Sequence, residues 1–364
     1  MTPGTTLPAL TGLRAYAAVW VMLLHLQYSL GVRPHVDLGA FVAHGFWAVD
    51  IFFVLSGFIL CLTYAGRLEA RWPVYVDYLL ARFARIYPLH LLTLLLLGAV
   101  YFGGHLLGHF QPLPAGFRPD QFLANLGLLH AWSTVDRLNW NYPSWSISAE
   151  WFAYLLLLPA AVWLLRRSAS WALVALALGA WFALAFALLR QGQAIGEQHV
   201  SWALPRITAG FLLGCATFRL ARHYPLTPRV ADAMLLASIG LIVVAAYAAA
   251  ELEVLIGPAS MALVWALANP GRWGRRVFAD RGAVYWGERS YAIYMLHAPV
   301  QILINLLLLR AGLVDLSRAA GWLLFGGQVL LVLGLSAWVY YAVEAPARRA
   351  IRRLSPLAPD GGTR

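Results

Sequence analysis

TGLRAYAAVWVMLLHLQ, residues 11–27, is the stretch whose reading decides the fold. Among mostly apolar residues it carries a cation, Arg14, and an imidazole, His25. Eleven positions at about 100° each return to within about 20° of the starting direction, so the two side chains share one helix face. At about 1.5 Å per residue they stand about 16 Å apart, half the depth of a bilayer core. Ionisable groups at membrane depth are costly and usually face an interior path. A helix with a cation near one surface and a titratable base halfway across therefore reads as one wall of a reaction path through a membrane.

The rest of the chain agrees. Apolar segments recur from residue 9 to residue 343. With 61% hydrophobic residues, 12% charged residues and a mean hydropathy of +0.68, the 364 residues read as an all-α, polytopic membrane helix bundle. A single membrane domain is expected over 1–349, with a short basic tail over 350–364. The net charge of +11 does not point to nucleic acid, because the arginines cluster at segment ends and form no basic tract. All 27 Lys and Arg positions are Arg, which excludes a lysine nucleophile or Schiff base. Cys61 and Cys215 lie in apolar runs far apart and read as small core hydrophobes. No metal site and no resident cofactor is expected. The N-terminus has neither a basic leader region nor a convincing cleavage site, so the first helix reads as retained.

Ten spans of adequate length can be drawn, over 9–30, 45–65, 83–104, 145–165, 170–189, 203–221, 231–250, 254–270, 290–309 and 321–343. QFLANLGLLHAW, residues 121–132, is apolar but too short to cross and reads as re-entrant or interfacial. With the N-terminus inside, only Arg33, Arg118, Arg137, Arg190, Arg206, Arg310 and Arg318 fall outside the cytoplasmic loops, Arg14 and the tail. That bias puts both termini in the cytoplasm of a multi-pass protein of the plasma (inner) membrane. Had 121–132 crossed, every later loop would invert and the bias would collapse.

Several polar constellations interrupt these spans, and each has a plainer reading. Arg82 and Arg85, in ARFARIYPLH, stand one turn apart, a spacing at which guanidinium forks can grip phosphate; positive-inside charge would also place them there. Pro88 follows and can kink the helix. In NYPSWSISAEWFAY, Ser146 and Glu150 form an i,i+4 pair on one face. Ser144 as an N-cap and Glu150 near a positive helix end explain part of this run, but an acid at depth still needs a basic partner such as His25 or a water-filled cavity. Asp50, Ser56 and Gly57 interrupt the second span; close packing suits Ser56 and Gly57, whereas Asp50 calls for an arginine. Asp50, Arg206 and His297 are all buried ionisable candidates for lining the pore. Glu344 reads as structural, paired with nearby arginines.

Taken together, these segments resemble acyltransferase family 3 of integral membrane proteins. Arg14 and His25 match its Arg-x10-His pattern, FFVLSGF its second-helix signature, Arg82-x-x-Arg85 its RxxR motif, Ser146 and Glu150 its Ser-x3-Glu element, and SYAIYMLH its late Ser-Tyr/His segment. The likeness runs from residue 9 to about 349 with the motifs in order. It implies transfer of an acyl group, usually acetyl from acetyl-CoA, to sugars or other acceptors at the membrane. It also implies that transfer is completed within the membrane domain, since no extracytoplasmic hydrolase-like domain follows in the 364 residues.

The expected mechanism places acyl-CoA phosphates on Arg82 and Arg85, with Arg14 at the pore entrance and the thioester near His25 as general base. Glu150 is expected to orient His25, and Ser146 or an arginine to serve the oxyanion. An acyl-His intermediate stays open, as does the acceptor: a glycan, a lipid-linked glycan or a small hydroxylated metabolite, met among membrane lipids. A transporter or anion permease would carry similar buried polarity without acyl chemistry; no convincing match between residues 1–166 and 170–364 supplies the repeats it would need.

Overall fold

A computed structural model describes residues 7–33, 35–67, 72–135, 137–248 and 250–357. Every regular element among them is helical: α1 Pro8–Leu26, α2 Gly39–Ala43, α3 Ala48–Tyr64, α4 Trp72–Leu106, α5 Pro119–Leu126, α6 Trp145–Phe152, α7 Leu158–Arg167, α8 Ser170–Leu189, α9 Ala203–His223, α10 Pro228–Tyr247, α11 Ile256–Ala268, α12 Arg272–Phe278, α13 Arg281–Glu288, α14 Ser290–Ala311, α15 Arg318–Val339 and α16 Ala345–Arg352. A π turn over Ala153–Leu157 joins α6 to α7, and another over Tyr340–Glu344 joins α15 to α16.

Among the described residues, nine helices are long and apolar enough to cross a membrane. The remaining expected span, 203–221, is α9, which has 21 residues but carries Arg206, Arg219 and Arg222. It packs inside the bundle against α3, α8 and α11, where Arg206 meets Asp50 and Arg219 donates to the carbonyls of Leu165 and Ser168, while Arg222 is exposed at its end. Several boundaries differ from those expected. The first span stops at Leu26, not residue 30, because the chain turns after Gln27 and Gly31 takes φ +71°. His25 therefore sits in the last turn of α1. The third span begins earlier, at Trp72, and α4 continues through Pro88 for 35 residues. Of 121–132, only the part to Leu126 is helical, within the eight-residue α5. The expected tail from 350 begins inside α16, where Arg352 pairs with Asp77 of α4 at 3.2 Å and Ser355 donates to the same carboxylate. Arg71 and residues 358–364, Arg364 included, lie outside the described residues.

The most extensive packing joins α3 to α9. Gly57 and Gly214 allow it: a Cβ on Gly57 would overlap the Phe211 carbonyl, and one on Gly214 the Val54 carbonyl. Such close backbone approach is how membrane helices associate when lipid is as apolar as their side chains. Two buried contacts bridge the same interface. Asp50 accepts from Arg206 Nε and Nη2, both at 2.8 Å, the arginine partner its burial called for. Cys61 and Cys215 remain free thiols, their sulfurs 3.2 Å apart, a proximity that 154 residues of separation concealed.

Candidate active site

Among the described residues, the expected site side chains gather around two cavities. The larger, about 120 Å³, is lined by Arg14 of α1, Ser56 of α3, Arg82 and Arg85 of α4, Ser146 and Glu150 of α6, and Tyr291 and Tyr294 of α14. That volume holds several waters, or a slender chain. Helix periodicity accounts for its lining: Arg82 and Arg85 are one turn apart, as are Ser146 and Glu150, and Tyr291 and Tyr294. Arg85 Nη1 lies 3.2 Å from Glu344, whose side chain is 1% exposed, so the acid read as structural braces one member of the arginine pair. Arg82 Nε and Arg85 Nη2 are buried and meet no hydrogen-bond partner among the described residues. Buried guanidinium donors without acceptors are costly, and an anionic or carbonyl oxygen in the cavity would relieve them.

The smaller cavity, about 30 Å³, is lined by His25, Phe46, Tyr142, Trp145, His199, Arg206 and Tyr294, among others. Arg206 is fully spoken for: besides Asp50 it donates to the carbonyls of Gly196 and Gln198, at 3.2 and 2.9 Å. Glu253 holds the same loop from the other side, accepting from Trp47 Nε1 at 2.7 Å and from the amides of Ile195 and Gly196 at 2.9 and 2.5 Å. These two buried ionic groups fix the 195–200 loop and place His199 over the cavity, its ring edge-on to Trp145. Burial, with the Arg206 charge behind it, lowers the His199 imidazole to about 4.

Tyr294 and Val49 line both cavities and so form the wall between them. The Tyr294 hydroxyl lies 2.7 Å from Ser146 Oγ, and both hydroxyls reach the Pro143 carbonyl, at 2.9 and 3.1 Å.

The structure thus brings Arg14, Arg82, Arg85, Glu150 and Ser146 into one cavity, and His25 and Arg206 into its neighbour. Asp50, expected to line the pore, lines neither cavity; it stands behind Arg206, whose guanidinium its carboxylate compensates. The expected pairing of Glu150 with His25 is not made. Glu150 accepts from Ser56 at 2.8 Å on the arginine side, because the face it shares with Ser146 turns toward α3 and α4. The partner of His25 is His297, whose Nε2 lies 3.1 Å from His25 Nδ1. His297 contacts the His25 ring rather than lining either cavity. Sequence reasoning passed over Tyr294, Tyr142, His199 and Gln301. For two of them a signal was present: Tyr294, His297 and Gln301 fall at i, i+3 and i+7, one stripe of α14. Among the described residues, no three His, Cys, Asp or Glu side chains converge as a metal-binding group.

Residues 7–341 match the family model described as an acyltransferase domain. Among curated proteins, the chain is similar to acyltransferase MdmB of Streptomyces mycarofaciens, 34% identical over 169 residues, 44% of this chain and 40% of that one. It is also similar to protein 2 in the picA locus of Rhizobium radiobacter, 36% identical over 104 residues, 29% of this chain and 50% of that one. The matched segments thus cover half or less of each relative's length. No solved structure matches.

Proposed function

The chain belongs to acyltransferase family 3, a membrane acyltransferase by that membership, and on this premise we propose that it moves an acyl group, acetyl in the first instance, from cytoplasmic acyl-CoA to a hydroxyl. The acceptor is a sugar, a lipid-linked glycan or a small hydroxylated molecule at the plasma (inner) membrane. The observation that carries the reading is the pair of arginines, Arg82 and Arg85, each with a buried guanidinium donor unpartnered among the described residues, lining a cavity that shares the Tyr294 wall with the cavity of His25. A donor anchored on one side and a base on the other is the division that acyl transfer between two substrates requires.

In this reading the arginines take the phosphates of the donor, and its long arm carries the thioester toward Tyr294. Glu150, held by Ser56, offsets part of the arginine charge, so that the cavity binds an anion without trapping it. The acceptor hydroxyl enters beside His25 Nε2. As its oxygen attacks the thioester carbon, its proton passes to His25 Nε2. The tetrahedral oxyanion is met by the hydroxyls of Tyr294 and Ser146, which stand where the cavities adjoin. The carbon–sulfur bond then breaks, and the departing thiolate takes the proton back from His25, leaving the acyl ester and free CoA thiol. Neutral imidazole suits both proton steps, because its ordinary pKa lies near neutrality.

The purified protein in lipid nanodiscs, given labelled acetyl-CoA and a panel of hydroxylated acceptors, tests this. Label should move to an acceptor in wild type and not in His25→Ala, with donor binding kept. Absence of acyl-CoA binding, together with solute flux across proteoliposomes, would replace the reading with a transporter.

A further inference from the structure

His297 is fully buried, and its Nδ1 lies 3.3 Å from the carbonyl of Ile293, one turn back on α14. A carbonyl only accepts, so the single proton of the neutral ring sits on Nδ1, and Nε2 keeps its lone pair. That Nε2 is 3.1 Å from His25 Nδ1, which must therefore be the donor. The Val21 carbonyl, 2.9 Å from the same His25 Nδ1, shares that one proton with His297 and makes the same demand on the tautomer. Both neighbours require the proton of His25 on Nδ1. The nitrogen left bare is Nε2, the atom available to a proton from the acceptor.

The backbone under His25 is held from the same stripe of α14. Residues in the last turn of a helix have carbonyls with no partner in the helix. The His25 carbonyl accepts from Tyr28 N at 3.0 Å and from Gln301 Nε2 at 2.6 Å, and Gln301 Oε1 accepts from Tyr142 at 2.7 Å, so one side chain ties the end of α1 to the cavity wall. The two imidazole rings stack at 24° with centroids 4.9 Å apart.

From this geometry we propose that His297 is a positioning residue that sets the tautomer and aim of His25, the part a carboxylate plays in other base-and-orienter pairs. The inference rests on His25 being the base. A neutral orienter has a physical advantage at this depth. When His25 takes a proton from the acceptor, its Nδ1–H still donates to the His297 lone pair, so the transient cation is supported without a permanent charge having to be buried beforehand. His297 neither touches substrate nor accepts the proton, because its remaining lone pair is already engaged.

The test compares two substitutions in the full-length protein in nanodiscs, with donor KM reporting an intact arginine cavity. His297→Gln places an amide oxygen near the position of Nε2 and can still accept from His25 Nδ1; it should keep kcat within a few-fold of wild type. His297→Phe fills the space of the ring without an acceptor; kcat should fall on the order of 10–100-fold with donor KM unchanged. Wild-type kcat in His297→Phe would overturn the inference, as would a His297→Gln enzyme as slow as His297→Phe with normal donor KM. Full turnover in His25→Ala would instead remove the base itself, an outcome that leaves no tautomer to set and is read independently of His297.

Discussion

The hydroxyls of Tyr294 and Ser146 lie 2.7 Å apart in the wall that divides the arginine cavity from the histidine cavity. Both reach for one carbonyl, that of Pro143, so one of their two protons is readily given to another acceptor. An oxyanion formed at the junction would be such an acceptor.

Tyr294→Phe keeps the wall and removes one donor. Losing an oxyanion donor in other acyl-transfer enzymes costs about 10²–10³ in kcat. Because Ser146 remains, the expected loss is toward the lower end, about 100-fold, with donor KM unchanged. Tyr294→Ala removes the wall itself. It should raise acyl-CoA hydrolysis measured without acceptor, as water beside His25 gains access to the thioester. Neither effect is expected if the thioester never approaches this junction.

Arg85 has two roles that can be separated. Arg85→Ala should raise donor KM by about 10–100-fold, the equivalent of one charge-assisted hydrogen bond of about 1.5–3 kcal/mol. It should also lower the thermal midpoint, because it strands the buried Glu344 carboxylate, a defect of about 3–5 kcal/mol for a broken buried pair. Arg85→Ala with Glu344→Ala should recover most of the lost stability and none of the lost donor affinity. Calorimetry and donor titration on the three proteins check both parts.

What the sequence made legible was periodicity, and what it hid was which face meets which neighbour. The shared face of Arg14 and His25 follows from helix geometry alone, and so does that of Ser146 and Glu150. Helix geometry does not say that the Glu150 face turns to Arg82 and Arg85, nor that His25 meets a residue 272 positions away. Asp50 called for an arginine because a buried carboxylate must be compensated, but that the arginine is Arg206 depends on Gly57 and Gly214 letting α3 and α9 approach closely. The end of α1 was misplaced for a local reason: Tyr28 and Leu30 extend the apolar pattern, while Gly31 at φ +71° lies in the turn that takes the backbone away.

The Asp50–Arg206 pair is expected to matter for stability more than for chemistry. Both side chains are 1% exposed. Asp50→Asn leaves a buried guanidinium uncompensated and should cost about 3–5 kcal/mol. Arg206→Lys keeps the charge but loses the fork that reaches Asp50 and the Gly196 and Gln198 carbonyls together, so it should not behave as a conservative change. Thermal unfolding in detergent would show both as lowered midpoints. An unchanged midpoint in Arg206→Lys would mean that the charge alone, and not the fork, holds the loop.

The 195–200 loop should also respond to acid, and the sign follows from His199. Burial, first, and then the Arg206 charge lower its imidazole from 6.5 to about 4 in the folded protein. Between those values the unfolded or opened loop binds more protons than the closed one, so closure is complete above about pH 6.5 and is lost as pH falls toward 4. The groups facing His199 do not reverse this, since Arg206 and a protonated His25 both repel an imidazolium. Hydrogen exchange of the Ile195 and Gly196 amides, both bonded to Glu253, reports the opening directly. Corrected for intrinsic exchange, their protection should fall between pH 6.5 and 4.5 in wild type and change much less in His199→Phe, which fills the space without a titrating group. Equal loss of protection in the two proteins would remove His199 as the group through which the loop responds to acid.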